Sequence, residues 1–362
     1  MPLTEADLRP LPKVALHEHL DGGLRPQTIL ELARDLKVEL PVKTAAELAD
    51  WFFRGANRGS LPLYLEGFGV TISVMQTAEA LARTAYELLE DMHLEGMVYA
   101  ELRFAPVFHT QLGLNLEQVV AAVLSGMDRA RRDFKIESGL IVCAMRNRSD
   151  SVEMAELALD FRDRGVVGFD IAGEEAGHPP KRHVDAFHLI QRENFNITIH
   201  AGEAFGMDSI WQAVQYCGAH RLGHATRLAE DIVVAEGKVV KLGRLAQYVL
   251  DHRIPLEICL SSNVHTGAAP SIEQHPFHLY HQQKFRVTLN TDNRLMSRTT
   301  QTRELAEACR AFHLTLADLE KLTINAMKSA FIPYDRRCRI IYDSIKPAYR
   351  AAALRLAHVA ST

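Results

Sequence analysis

The stretch Lys13-Val14-Ala15-Leu16-His17-Glu18-His19-Leu20-Asp21-Gly22 places two histidines at the end of a short apolar run. The run predicts a β-strand, in which successive side chains point to opposite faces. His17 and His19 would then project to the same side from adjacent pleats, and two convergent imidazoles are half of a tetrahedral metal site. A single His-x-His pair is also compatible with ordinary hydrogen-bonded histidines. The rest of the chain has to separate these two interpretations.

Seven further strand candidates follow the first one at 13–16, and most are joined by helical patterns. They are residues 97–104, 140–144, 166–171, 197–199, 221–222, 254–258 and 286–289. Several are almost uninterrupted apolar runs, as expected of strands buried on both faces of a parallel sheet. Eight βα units in a chain of 362 residues predict an α/β fold, a single (β/α)8 TIM barrel, rather than a doubly wound sheet.

We expect residues 1–362 to form one TIM-barrel domain, because no low-complexity linker divides the chain. Residues from about 23 to 96 are more than a single crossover helix needs, and they follow the strand that carries the histidines. We therefore predict a helical insertion after strand one that acts as a lid over the barrel mouth. The alternative is a decorative insertion that packs on the outer helices. Residues from about 333 to 362 predict a helical tail.

Composition and charge exclude several classes of protein. The net charge of −4 and the pI near 6.5 give no electrostatic reason to expect nucleic acid or an acidic membrane as a partner. The sequence shows neither a signal peptide pattern nor an apolar run long enough to span a bilayer. Five scattered cysteines without a Cys-x-x-Cys motif predict a reducing, cytoplasmic location. No feature indicates the oligomeric state.

Polar side chains follow five of the predicted strands at their carboxyl ends, where the active sites of TIM-barrel enzymes lie. They are His17, His19 and Asp21, then Asp170, then His200 and Glu203, then His224, and finally Asp292 and Asn293. Each has a structural explanation when taken alone, such as a buried histidine or a helix cap. Together they predict a metal-dependent active site. The three histidines and one carboxylate suit one zinc ion or a similar divalent ion such as iron or cobalt.

A bound metal would lower the pKa of a coordinated water and make it the nucleophile. Glu203, three residues beyond His200, could shuttle a proton, and His224 could orient or deprotonate the water. The motifs of zincin proteases, P-loop proteins and serine hydrolases are absent. His93-Leu94-Glu95 matches half of the cytidine deaminase signature, but the required cysteine pair does not follow.

A succession of motifs resembles the adenosine deaminase family. The motifs are His17-Glu18-His19-Leu20-Asp21-Gly22, residues 99–106, residues 170–175, His200-Ala201-Gly202-Glu203, Arg221-Leu222-Gly223-His224, Ser261-Ser262-Asn263, Asn290-Thr291-Asp292 and the closing segment 325–331. They occur in the family's order from residue 11 to about residue 332. A set of separated motifs in the right order is far more specific than any one of them.

The resemblance implies hydrolytic deamination of adenosine, and of 2′-deoxyadenosine, to inosine and ammonia by attack of metal-bound hydroxide at purine C6. It implies one Zn²⁺ per chain, held by His17, His19, His200 and Asp292. Glu203 would protonate purine N1, and His224 would position the attacking hydroxide. The other roles that the resemblance implies are substrate binding by His19, Asp21, Gly173 and Asn293, orientation of a metal ligand by Asp170, and an apolar lid formed by Leu61, Tyr64, Leu65 and Phe68.

One position departs from the family pattern, because Asn293 stands where a second aspartate is usual. That aspartate must be protonated to donate to purine N7, whereas an asparagine amide donates without taking up a proton. We expect purine binding with a changed pH dependence.

Two alternatives to adenosine deamination remain open. One is a related aminohydrolase acting on adenine, 6-amino-6-deoxyfutalosine or a modified adenine nucleotide, although Asp21 would repel a 5′-phosphate. The other is a catalytically silent nucleoside-binding protein, against which the presence of both Glu203 and His224 weighs.

Overall fold

Eight parallel strands in two four-stranded sheets form the framework of the protein. The computed structural model describes the backbone of residues 3–361 and the side chains up to residue 356. With a separate antiparallel pair, β7 and β8, the described residues contain ten strands: β1 (Lys13–His19), β2 (Met97–Phe104), β3 (Glu137–Met145), β4 (Val166–Ala172), β5 (Thr198–Ala201), β6 (Arg221–His224), β7 (Ile232–Ala235), β8 (Lys238–Leu242), β9 (Leu256–Ile258) and β10 (Val287–Leu289). The sheets have the orders β1-β2-β3-β4 and β10-β9-β6-β5. Isolated parallel bridges at Phe169–Ile197 and Glu18–Asp292 connect the edges of the two sheets.

Helices alternate with these strands and cover the sheets. They are α1 (Glu5–Leu8), α2 (Pro26–Leu36), α3 (Ala45–Ala56), α4 (Leu61–Leu65), α5 (Phe68–Val74), α6 (Ala78–Leu94), α7 (Leu116–Asp133), α8 (Ser151–Asp160), α9 (Val184–Arg192), α10 (Met207–Gln215), α11 (Arg244–Asp251), α12 (Leu260–His265), α13 (Phe277–Gln282), α14 (Gln301–Phe312), α15 (Leu316–Ser329), α16 (Tyr334–Arg339) and α17 (Lys346–Ser361). Thr44, Asn115 and Thr315 begin α3, α7 and α15 with capping boxes. None of the described helices has the length and apolar character needed to cross a membrane.

The structure confirms the α/β class and all eight predicted strands, with ends that differ by up to three residues. The antiparallel hairpin β7–β8 is absent from the sequence prediction. The valines of this hairpin do not alternate with polar residues, and several are exposed. The sequence therefore lacks the alternating pattern that predicts a half-buried strand. Its turn residues Glu236 and Gly237 both have positive φ, of 50° and 72°, which matches the type I′ turn of two-residue hairpins.

The insertion between β1 and β2 is helical, as predicted, and contains α2 to α6. Its last helix, α6, packs against α7, and Leu81, Ala85, Leu88 and Met92 form a buried apolar face of α6. The short helices α4 and α5 lie instead near the carboxyl ends of the strands, because their apolar residues line the cavity described below. The predicted tail is also helical, with α16, a π-helical turn at Ile340–Ile345, and α17.

Candidate active site

Four side chains from three strand ends converge on one point. His19 Nε2 lies 3.1 Å from His200 Nε2, and Asp292 Oδ1 lies 3.3 Å from His17 Nε2 and 3.4 Å from His19 Nε2. One candidate ligand atom from each residue lies within 4.8 Å of all the others. His17 Nε2 is buried and has no hydrogen-bond partner. A shared cation would satisfy this nitrogen, so the donor set fits a divalent metal of the zinc type.

Three of the four convergent residues, His17, His200 and Asp292, are hydrogen-bonded to a second polar group on the side away from the cluster. Glu257 Oε2 lies 2.9 Å from His17 Nδ1, and Asp170 Oδ2 lies 3.0 Å from His200 Nδ1. A carboxylate at Nδ1 keeps the proton on that nitrogen and leaves the Nε2 lone pair free for a metal. Ser262 Oγ donates to Asp292 Oδ2 at 2.5 Å. The predicted supporting role of Asp170 therefore has a matching geometry, and Glu257 has the same arrangement toward His17.

Two buried arginines keep these carboxylates charged. Arg103 donates to Asp170 at 2.7 Å and to Glu257 at 2.9 Å, and Arg221 donates to Glu257 and Glu101 at 2.5 Å each. Burial alone would raise the pKa of Glu257, but the two guanidinium groups hold it well below its usual range. The pKa of Asp170 is also lowered against the effect of burial, by His200 and Arg103.

Glu203 and His224 lie beside the cluster as an acid and a neutral imidazole. Glu203 Oε2 is 3.6 Å from His224 Nε2, and Thr266 Oγ1 donates to Glu203 Oε1 at 2.9 Å. Burial, reinforced by the charge of Asp292, raises the pKa of Glu203 to about 8. Burial lowers the pKa of His224 to about 4. At neutral pH the glutamate therefore holds a proton that it can donate, and the histidine is uncharged.

A chain of hydrogen bonds fixes which nitrogen of His224 carries its proton. The backbone N–H of Phe277 donates to His275 Nδ1 at 3.0 Å, so the proton of His275 is on Nε2. That nitrogen donates to Asn263 Oδ1 at 3.1 Å, and Asn263 Nδ2 donates to His224 Nδ1 at 3.0 Å. His224 Nδ1 is an acceptor, and Nε2 is therefore the protonated nitrogen that faces Glu203.

A cavity of about 220 Å³ opens beside the cluster. Its polar lining consists of His19, Asp21, Gly173, His200, Glu203, His224, Asp292 and Asn293, and its apolar wall includes Leu61, Tyr64, Leu65 and Phe68. The structure thus brings together all the residues predicted for substrate binding and for the lid. Tyr64 of α4 is also hydrogen-bonded to Ser297 at 3.0 Å, which ties the insertion to the loop after β10.

The adenosine deaminase family model matches residues 12–347. The chain belongs to the adenosine deaminase family. Adenosine deaminase 1 of Streptomyces coelicolor is 55% identical over 348 residues, which cover 94% of this chain and 88% of that protein. An adenosine deaminase of Mycobacterium sp. strain JLS is 53% identical over 358 residues, covering 97% and 99%.

Two solved structures have similar folds. The N6-mAMP deaminase of Arabidopsis has a TM-score of 0.80 at 27% identity and covers 93% of this chain and 99% of its own. An amidohydrolase of Burkholderia ambifaria, solved with bound Zn, has a TM-score of 0.86 at 23% identity and covers 99% and 96%. At 23% identity, the similarity to the Burkholderia ambifaria protein shows a common fold and nothing further.

Within this adenosine deaminase framework, several residues that shape the site received no role from the sequence. Glu175 accepts backbone N–H groups from Gly202, Glu203, Ala204 and Phe205 at 2.6 to 3.0 Å and so fixes the loop that carries Glu203. The pair Glu174-Glu175 lies inside a family motif, but nothing in the sequence says that the second glutamate turns inward. Glu257, His275 and Thr266 lie outside the motifs, and only the folded chain relates them to the ligands.

Proposed function

We propose that this chain hydrolyses adenosine, and 2′-deoxyadenosine, to inosine and ammonia. One observation carries the proposal: a buried glutamate with a raised pKa and a buried histidine with a lowered pKa line one cavity, beside a cluster of three histidines and one aspartate. This combination supplies an acid that can protonate a purine ring nitrogen, a hydrogen-bond donor that can orient the nucleophile, and a metal site, all at one cavity. The names of the curated relatives support the same reaction.

We infer that His17, His19, His200 and Asp292 would hold one Zn²⁺ per chain. When bound, the ion lowers the pKa of a coordinated water toward neutrality and so supplies a nucleophile at physiological pH. The free Nε2 atom of His17 and the carboxylates behind His17 and His200 support this assignment.

Glu203 would donate its proton to purine N1, and the pKa of about 8 supports this role. A proton on N1 draws electrons from C6, which makes that carbon more open to attack. His224 would orient the nucleophile by donating a hydrogen bond from Nε2. The chain through Asn263 and His275 favours orientation over deprotonation, because the Nε2 lone pair is not free.

Substrate contacts would come from the polar wall of the cavity. Asp21 would accept from the ribose 5′-hydroxyl, the Gly173 N–H would donate to purine N3, and the Asn293 amide would donate to N7. Gly173 has a φ of 100°, which suits glycine, and both Gly173 and Asn293 line the cavity. His19 would contact substrate as well as metal. Leu61, Tyr64, Leu65 and Phe68 would form the lid that excludes water.

We further infer that the two sheets close into one (β/α)8 barrel, so that the chain is a single domain. The bridge Phe169–Ile197 joins β4 to the chain just before β5, and the bridge Glu18–Asp292 joins β1 to the chain just after β10. The two sheets are therefore connected at both pairs of edges, which supports closure. A cytoplasmic location stays a prediction, supported by five cysteines that form no disulfide.

A second candidate is deamination of a modified adenine nucleotide, because a structural relative is named N6-mAMP deaminase. Asp21 disfavours it. Burial raises the pKa of this carboxyl group to about 7, so it is ionised in part at neutral pH and would then repel a phosphate at the 5′ end of the nucleoside. Adenine and 6-amino-6-deoxyfutalosine lack that phosphate and remain alternatives. A silent nucleoside-binding protein would not need the proton-holding Glu203.

Ammonia release from a substrate panel tests these alternatives. The panel is adenosine, 2′-deoxyadenosine, adenine, AMP, N6-methyl-AMP and 6-amino-6-deoxyfutalosine. We expect the two nucleosides to give the highest kcat/KM, and a preference for any other member would refute the substrate assignment. Glu203→Gln should lose turnover and keep its metal, whereas the exposed Glu236→Gln should match the parent protein. Retained turnover in Glu203→Gln would contradict the proton-donor role.

A further inference from the structure

A second concavity lies at the amino ends of the strands, opposite the candidate active site. It has a volume of about 1530 Å³ and is lined where β4, β6, β9 and β10 begin. Nine arginines and two aspartates contribute to its wall, although the whole chain has a net charge of −4. A cleft with so strong an excess of one sign concentrates counter-ions of the other sign.

Several of these arginines are already neutralised or engaged within the protein. Arg221 is bound by Glu101 and Glu257, Arg131 pairs with Asp128, and Arg336 pairs with Glu137. Arg162 and Arg164 donate to backbone carbonyls and stack on Phe195 and Phe161. These side chains explain part of the positive wall without any ligand.

Arg253, Arg286 and Arg337 have no carboxylate partner among the residues that the structure describes. Arg253 and Arg337 are fixed by bonds to the carbonyls of Lys284 and Lys328, at 2.7 and 2.6 Å. The Nε atoms of Arg286 and Arg337 are buried and unpaired. Burial and the charges of Arg253 and Arg337 lower the pKa of Arg286 from its ordinary value. Arg286 therefore lies in the field of two further positive charges, and the buried Nε atoms of Arg286 and Arg337 have no hydrogen-bond partner among the described residues.

We propose that Arg253, Arg286 and Arg337 bind the phosphate groups of a small ligand that carries a chain of two or three phosphates. Guanidinium groups match phosphate oxygens with paired hydrogen bonds, and such an anion would neutralise all three charges. The net charge of −4 on the whole chain favours a small anion over a nucleic acid, which would also meet the acidic remainder of the surface. Tyr248 and His252 stack at 3.9 Å on the same wall and offer an aromatic surface to a base.

Titration calorimetry on the purified full-length protein tests this site, with sodium tripolyphosphate and CTP as probes. CTP is a pyrimidine nucleotide and avoids the proposed purine site. Metal content is measured before and after titration, so that metal removal by the polyphosphate cannot be taken for binding. We expect binding that weakens as sodium chloride is added. Tighter binding of CTP than of tripolyphosphate would show that the base is recognised as well.

Arg286→Gln and the exposed Arg253→Gln should each weaken binding of tripolyphosphate about tenfold or more. Arg34→Gln, an exposed arginine outside the cleft, is the matched control and should bind as the parent does. Unchanged deaminase activity in the variants would show that they are folded. The proposal is overturned by absent binding at low salt, by equal affinity in all three variants, or by tighter binding of a single-stranded oligonucleotide.

Discussion

Replacing Asn263 by aspartate tests how His224 acts. In the parent protein the Asn263 amide donates to His224 Nδ1, so the ring proton is on Nε2. Asn263→Asp keeps the size and the acceptor for His275 but removes that donor. The new carboxylate would draw the His224 proton to Nδ1, and Nε2 could no longer donate to the nucleophile. A hydrogen bond to a charged group contributes about 1.5–3 kcal/mol, which corresponds to a loss of roughly 10- to 150-fold in kcat.

The assay is steady-state deamination of adenosine at pH 7, together with metal analysis. We expect kcat to fall while KM and metal content stay close to those of the parent, because the lost bond acts on the reacting state. Asn147→Asp, at an exposed position, controls for the added negative charge. If Asn263→Asp keeps or raises kcat, His224 uses a free Nε2 lone pair as a base, and the argument from the hydrogen-bond chain is wrong.

The pKa of about 8 for Glu203 predicts that kcat falls as the pH rises through 8, because the acid form is lost; a rate that keeps rising to pH 9 would exclude this. Asn293→Asp should lower kcat/KM mainly above the pKa of the new carboxyl group, and a pH profile identical to that of the parent would contradict the proposed contact with N7. Glu257→Gln should lower metal affinity by roughly 10- to 100-fold in a chelator competition, since the carboxylate orients His17, and parental affinity would argue against that role. Phe68→Ala should raise KM severalfold with little change in thermal unfolding, because this half-buried side chain covers the cavity.

Sequence analysis can predict the position of a side chain that follows from the geometry of a single strand. The alternation of a β-strand is enough to place His17 and His19 on one side, and the rule that active sites lie at the carboxyl ends of parallel strands groups them with His200 and Asp292. Glu257 could not be found in this way. It lies within β9, inside a buried apolar strand, and its role depends on the register that brings it beside His17 and Arg221.

The same limit applies to the loop after β5. The spacing of His200 and Glu203 predicts that they are neighbours, but not that the loop is held by a carboxylate from the end of β4. Four N–H groups of that loop point at Glu175 because consecutive backbone amides in a tight turn form a concave anion site. This contact forms only when the loops after β4 and β5 meet in the folded chain, so no periodic pattern in the sequence predicts it.

The charges buried around the candidate site support a divalent rather than a monovalent cation. Asp170, Glu257 and Glu101 face the guanidinium groups of Arg103 and Arg221, which leaves one negative charge. Asp292 adds a second. Burial raises the pKa of Glu203 to about 8 and that of Asp21 to about 7, so these two groups hold protons wholly or in part at neutral pH, and the buried Arg146 lies in the field of Glu175. An uncompensated pair of negative charges in a buried region is strongly unfavourable, and one dication at the open Nε2 atoms removes it. The buried arginines therefore do more than stabilise the fold, because they set the charge that the metal has to match.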